Sequence, residues 1–290
     1  MTEATIGVIG GSGLYQMPGL SDIRTVEVDT PFGAPSDHYV IGTLEGRRVA
    51  FLPRHGRGHR YSPSEINFRA NVMGFRMLGV EWLISVSAVG SMKEQIRPGD
   101  MVVPDQFFDR TRSRPSSFFG GGCVGHIAFG DPVCPVLFGI LVDSCLQAGA
   151  TVHRGGTYLC MEGPQFSTRA ESFIYRQWGV DVIGMTNLPE AKLAREAELH
   201  YATLAMSTDY DCWHDSHADV TVEQILKILM ENVRKAQEII RRAVALIPPP
   251  GGECGCAQAL ATAVITDPAV IPPETKERLR PLLGKYWDKT

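Results

Sequence analysis

Glu81-Trp82-Leu83-Ile84-Ser85-Val86-Ser87-Ala88-Val89-Gly90-Ser91-Met92 is an apolar run that ends in small residues carrying free hydroxyl and amide donors. A run of this kind bounded by turn residues predicts a buried strand of a largely parallel sheet. Two upstream stretches have the same form. Thr5-Ile6-Gly7-Val8-Ile9 stops at Gly10-Gly11-Ser12-Gly13, and Val49-Ala50-Phe51-Leu52-Pro53 stops at Arg54-His55-Gly56-Arg57-Gly58-His59-Arg60. Ligand sites in open α/β sheets form outside the carboxyl ends of strands, so Ser12, Arg54 and Ser87 are predicted to converge there. Each end taken alone reads as an ordinary turn or a solvated loop; their repetition argues for a site. The donors suit a small anion, because glycines let backbone N–H groups crowd it and Arg54 offers a planar fork for phosphate. A dinucleotide or P-loop reading fails, since Gln16 stands where the last glycine is needed and no Walker lysine is present.

Helical spacing predicts a helix over residues 63–78 with Ile66, Ala70, Met73 and Met77 on its apolar face, a second over 134–147, and a long one from Val222 to Val244 behind the capping box Thr221-Val222-Glu223-Gln224. Further strands are expected at 101–104, 157–161 and 181–185. Gly120-Gly121-Gly122 reads as a mobile loop. Glu162-Gly163-Pro164-Gln165-Phe166-Ser167-Thr168 leads into a helix capped by Ser167 or Thr168. The last strand, Ala205-Met206-Ser207-Thr208, ends in Asp209-Tyr210-Asp211. Alternation along an extended chain points residues i and i+2 to one side, so both carboxylates can meet one ligand edge while Tyr210 turns away. Two acids at one edge fit a heterocyclic base better than a phosphate. Pro248-Pro249-Pro250-Gly251-Gly252 marks a linker, dividing a catalytic domain (residues 1–247) from a helical tail (248–290) packed on it.

With 290 residues, 44% of them hydrophobic, the chain can bury a large core. A net charge of −4 with dispersed basic residues excludes an electrostatic footprint for nucleic acid or an anionic membrane. No apolar run approaches the roughly 20 residues that span a bilayer, and the acidic start lacks a signal-peptide pattern, so a soluble cytoplasmic protein is expected. Seven cysteines at irregular spacing give neither a secreted disulfide framework nor a zinc ribbon. His55 and His59 stand four apart, but glycines between them argue against a helical metal pair. No metal and no cofactor are therefore expected.

These pieces together resemble the trimeric branch of the purine nucleoside phosphorylase family, and within it the phosphorylases of methylthioadenosine. The likeness runs over roughly residues 5–245 and rests on Ile9 to Leu14, Arg54-His55-Gly56, Ser87 to Ser91, Pro98-Gly99-Asp100, Glu162 to Ser167, Met185-Thr186 and Asp209 to Trp213. It implies a single α/β domain with a mixed, partly barrel-like sheet, a homotrimer, and phosphorolysis, with inorganic phosphate as co-substrate rather than cofactor. It further implies that phosphate is held by Ser12, Arg54, His55, Ser87, the Ala88 amide and Thr186. The ribose would lie on Met185, the purine face on Phe166, and the purine edge on Ser167, Asp209 and Asp211. Asp209 would be the general acid at N7 and Asp211 the acceptor for a 6-amino group, although which of the two holds the proton stays open. Val222 and Ile225 would line the 5′ pocket, with His126 reaching in from a neighbouring subunit. Preference for methylthioinosine, adenosine or inosine is the alternative. The tail pair Cys254 and Cys256 resembles a C-x-C that forms a small disulfide in some members.

Overall fold

The computed structural model describes residues 2–11, 13, 14, 17–214, 222–249 and 254–287, except for the side chains of 222–227 and 229. Ser12 and the side chains of Val222 and Ile225 thus lie outside the described residues. The strands are β1 (Ile6–Gly10), β2 (Ser21–Val26), β3 (Tyr39–Leu44), β4 (Arg47–Pro53), β5 (Trp82–Ser91), β6 (Met101–Val103), β7 (Gln106–Arg110), β8 (Val152–Arg154), β9 (Thr157–Met161), β10 (Val182–Gly184) and β11 (His200–Tyr210). The helices are α1 (Phe68–Met77), α2 (Pro135–Gln147), α3 (Arg169–Gln177), α4 (Asn187–Glu196), α5 (Val222–Leu246) and α6 (Pro273–Trp287).

Among the described residues, eleven strands join one mixed sheet, ordered β2-β3-β4-β1-β5-β10-β9-β7, with β11 pairing β5 and continuing to β6 and β8. The single α/β domain with a mixed sheet agrees with the sequence reading. β5 is the pivot. It runs parallel to β1 on one side and parallel to β11 over almost its full length on the other. Helices cover both faces: α1, α4 and α6 bury Val72, Ala191 and Leu282 against one, and α2 and α5 bury Leu137 and Ile240 against the other. Each of these valine, leucine and isoleucine side chains contributes about 1.5–3 kcal/mol when fully buried, and Ala191 less, so the sheet is held from both sides.

Local chemistry corrects several expected boundaries. α1 starts at Phe68 rather than Pro63 because Asn67 caps it, its Oδ1 accepting from the Ala70 amide at 3.1 Å. Residues 62–65 instead close a separate turn, with Ser62 donating to Glu65. The β3–β4 hairpin was not foreseen; it turns on Glu45 and Gly46, both at positive φ, the pattern of a two-residue primed turn. The triple glycine is tied down rather than free, for Thr275 and Arg278 of α6 donate to the Gly121 and Gly120 carbonyls at 2.6 and 2.9 Å. Tail residues Leu260, Ile271, Leu279 and Leu283 are buried in the core. Among the described residues, no helix is long and apolar enough to cross a membrane.

Candidate functional site

The sheet splits beside β5. β1 follows β5 only as far as the Ile9–Ser85 pair, and β10 joins from the opposite direction at Gly90 and Ser91. Between these limits β5 exposes Ala88, within a strand whose flanking residues Ser87 and Val89 are buried. Such a divergence is where α/β sheets place ligands.

Arg54, at the end of β4, fills the root of the split. Its Nη1 donates to the Val86 carbonyl at 2.9 Å and its Nη2 to the Ile9 carbonyl at 3.2 Å. The fork expected to face phosphate is taken: Nε and Nη2 donate to the two Glu190 oxygens at 2.7 and 3.1 Å, and the arginine is only 2% exposed. Of the five guanidinium N–H groups, one on Nη1 has no described protein acceptor. Arg54 can therefore offer a ligand a single N–H, not a bidentate clamp. Burial works against its charge, but the Glu190 carboxylate outweighs this and raises the Arg54 pKa. Glu190 also accepts from Ser85 Oγ at 2.7 Å and Tyr201 Oη at 2.9 Å.

Ser87 and Thr186 come together, their hydroxyls 3.4 Å apart, with Tyr158 Oη 3.1 Å from Ser87. Thr186 directly precedes α4, whose backbone is extended at Leu188 before the regular helical turns begin. His55, next to Arg54 in sequence, is half-buried and hydrogen-bonds through Nδ1 to the Tyr61 carbonyl at 2.9 Å. A carbonyl only accepts, so Nδ1 carries the proton and Nε2 is left as an acceptor. Burial, with Arg54 adding repulsion, lowers the His55 pKa to about 4, so the ring is neutral at pH 7.

Stability consequences follow from that shift. Between an unfolded value near 6.5 and a folded value of about 4, the unfolded chain takes up a proton that the folded chain refuses. Stability therefore falls as pH drops through this window and gains nothing from this group above it. In thermal melts without phosphate from pH 6.5 to 4, His55→Gln is expected to lose less stability than the parent; equal slopes would remove the assignment.

The two acids meet across Gly90. A Cβ built on that glycine would lie 3.2 Å from Asp209 Oδ1 and 3.5 Å from Asp211 Cβ, so both side chains occupy the same side of β5. The β11 register slips at Thr208, and this bulge leaves Thr208 Oγ1 donating to Asp209 Oδ2 at 2.7 Å. Asp211 is buried, and its Oδ2 has no partner among the described residues. A buried carboxylate oxygen without a donor is costly, and a ligand N–H would satisfy it. Tyr210 turns away, stacking on His214 with 4.5 Å between ring centroids.

Other predicted residues are placed unevenly. Ser167 stays close, its carbonyl accepting from Cys212 Sγ at 3.4 Å. Met185 packs over Gly163. Phe166, expected to stack on a ring, is 83% exposed, so the described residues do not fix it over the site. His126 is exposed on a loop bonded to the tail, its amide donating to the Ala263 carbonyl at 2.8 Å, and none of the described hydrogen bonds links it to the acids. Sequence reasoning missed Glu190, Tyr158 and Arg114. Arg114 is buried and donates to the carbonyls of Met185, Leu188 and Glu162 at 2.6, 2.8 and 2.6 Å, which fixes the loops carrying Met185 and Ser167. Its one signal was an arginine inside an aromatic-rich segment.

The profile of the phosphorylase superfamily matches residues 5–245. The S-methyl-5′-thioadenosine phosphorylases of Koribacter versatilis and Geobacter sulfurreducens are 60% and 61% identical over 285 residues, covering 98% of this chain and 97% and 99% of theirs. A crystal structure of methylthioadenosine phosphorylase from an antarctic soil metagenomic library superposes with a TM-score of 0.94 at 50% identity, covering 98% of this chain and all of that one. A mutant adenosine/methylthioadenosine phosphorylase from Schistosoma mansoni, solved with methylthioadenosine, gives 0.81 at 36% identity over 89% of this chain and 95% of that one.

Proposed function

This chain belongs to the phosphorylase superfamily and, within it, to the methylthioadenosine phosphorylases, which are pentosyltransferases; on that premise we propose the chemistry its residues perform. Phosphate attacks C1′ of 5′-methylthioadenosine, the bond from C1′ to the purine breaks, and its electron pair passes into the base, which takes a proton at N7. Adenine and 5-methylthioribose 1-phosphate leave. The observation that carries this reading is the pair Asp209 and Asp211 around Gly90, with Asp211 Oδ2 buried and unpartnered among the described residues.

In this reading Asp209 donates to N7 and ionised Asp211 accepts from the 6-amino group. Phosphate lies in the split of the sheet, on the Ser87 and Thr186 hydroxyls, the Ala88 amide, one Arg54 N–H and Ser12. Neutral His55 accepts from a phosphate hydroxyl through Nε2. Met185 supports the ribose, Ser167 and Phe166 the purine, and Val222 and Ile225 the 5′ group. We also place the enzyme in the cytoplasm, where seven free thiols fit a reducing milieu.

Base release from methylthioadenosine, methylthioinosine, adenosine and inosine, each with and without phosphate, tests the function. Phosphate-dependent release of adenine from methylthioadenosine is expected to be fastest, and a preference for the inosines would overturn it. For Asp211→Asn, the amide presents a donor at that edge, so selectivity for adenine over hypoxanthine nucleosides should drop by about 10² or more, since mismatched polar groups cost up to roughly 10⁴. Unchanged ratios of kcat/KM would remove Asp211 as the edge reader.

A homotrimer is part of the proposal. Phe108, Phe166, Phe173 and Trp178 are 42–83% exposed on β7, on α3 and at its two ends, apolar surface that association would cover. Light scattering is expected to give three chains per particle, with His126 serving the neighbour's 5′ pocket. A monomer with full turnover would exclude that role.

A further inference from the structure

Far from the acids, at the other end of β11, four side chains converge that the reaction does not use. Cys134 precedes α2, His200 opens β11, and Cys254 and Cys256 sit where the tail enters a short 3₁₀ turn. His200 Nδ1 lies 3.0 Å from Cys254 Sγ and 3.5 Å from Cys134 Sγ; Cys254 Sγ lies 3.4 Å from Cys134 Sγ and 3.5 Å from Cys256 Sγ. All four donor atoms fall within 4.8 Å of one another.

We propose that Cys134, His200, Cys254 and Cys256 form a structural Zn2+ site that fastens the C-terminal tail to the sheet.

The donor set is the argument. Three sulfurs and one imidazole nitrogen make a closed tetrahedral Cys3His set, with no position left for water or substrate. Bond lengths of about 2.3 Å to sulfur and 2.0–2.1 Å to nitrogen put neighbouring donors of such a tetrahedron roughly 3.6–3.8 Å apart, against spacings of 3.0–3.5 Å for the four pairs above and no more than 4.8 Å for any pair, so side-chain shifts of an ångström or less would close the site. Soft thiolates with imidazole favour zinc over magnesium or calcium. The surroundings prepare the ligands. Cys134 is the N-cap of α2, and the Leu137 amide donates to its sulfur at 3.5 Å, which holds the sulfur in place. His200 is 1% exposed and stacks on Trp82 at 3.9 Å, 14° from parallel, which fixes its ring. On binding, the thiols release their protons to solvent and the imidazole stays neutral.

A disulfide between Cys254 and Cys256 is the rival. Their sulfurs are 3.5 Å apart and both are free thiols, well beyond the covalent distance of about 2.05 Å; such a bond would also leave Cys134 and His200 without the partner their packing provides. The sequence concealed the set, because its ligands come from three stretches and follow no ribbon spacing. Some nine residues of β11 separate His200 from Asp209, about 30 Å at strand rise, so the ion would act on stability and not on chemistry.

The test uses untagged full-length protein expressed with zinc and purified without chelator. Elemental analysis is expected to find about one Zn2+ per chain, falling to near zero in Cys254→Ser and Cys134→Ser while the Cys212→Ser control keeps it. Because a variant could fail to fold, the parent protein is also stripped and titrated with Co2+. Thiolate-to-cobalt charge transfer and the visible bands of tetrahedral Co2+ are expected, with thermal stability recovering as they grow. Absence of these bands, binding of iron instead of zinc, or an intact mass without reductant that shows a Cys254–Cys256 disulfide would each overturn the proposal.

Discussion

Asp209→Asn is expected to lower kcat for methylthioadenosine by about 10²–10⁴, the worth of a positioned general acid, with much less effect on KM. Asparagine keeps the shape and can still accept from Thr208 Oγ1, which donates to Asp209 Oδ2 at 2.7 Å. It has no proton to surrender to the purine. A loss confined to the transition state lowers kcat and kcat/KM together. The decisive companion is a substrate already methylated at N7. Its base leaves as a neutral species without protonation, so the variant should regain most of the parent rate on it. A variant that turns over methylthioadenosine normally, or that is equally slow on the methylated substrate, would exclude Asp209 as the acid.

Glu190→Ala is expected to cost about 3–5 kcal/mol of folding stability, the usual result of stripping one partner from a buried ion pair. Arg54 would remain 2% exposed with its charge uncompensated, and Ser85 and Tyr201 would lose their acceptor. At about 2–4 °C per kcal/mol for a large domain, calorimetry should register a fall in Tm of roughly 6–20 °C. KM for phosphate should rise as well, since Glu190 fixes the direction of the one Arg54 N–H left for a ligand. A paired change, Arg54→Met with Glu190→Leu, separates the two effects. Apolar replacements of a buried pair are often neutral or stabilising, so that variant should recover much of the lost Tm and still bind phosphate poorly. A melting point for Glu190→Ala within about a degree of the parent would show the pair to be dispensable.

These two experiments probe residues of very different legibility. Asp209 and Asp211 could be read from one strand end, because two-residue alternation is a local property and survives the bulge at Thr208. Ser87 and Thr186 were likewise found as polar ends of apolar runs, and the structure brings their hydroxyls together. Glu190 could not be read: nothing near it in the chain marks it as half of a buried pair, and its partner is 136 positions away. Arg54 was recognised as a cation near the site, but its exposure and the direction of its fork depend on that same partner. Phe166 illustrates the opposite limit. An aromatic at a ligand rim suggested stacking, yet Phe166 is left in solvent, because none of the described residues packs over it.

By itself, then, the sequence determined the strand and helix periods, the α/β class and the family, since each depends on residues close together in the chain. Only the tertiary structure decided how β5 is shared among β1, β10 and β11, how the Arg54 charge is neutralised, and that three distant stretches bring Cys134, His200, Cys254 and Cys256 within reach of one ion. The physical reason is range. Backbone preference and amphipathic pattern act over a few residues, whereas ion pairing and ligation depend on distance in space, which the chain acquires only when its core closes.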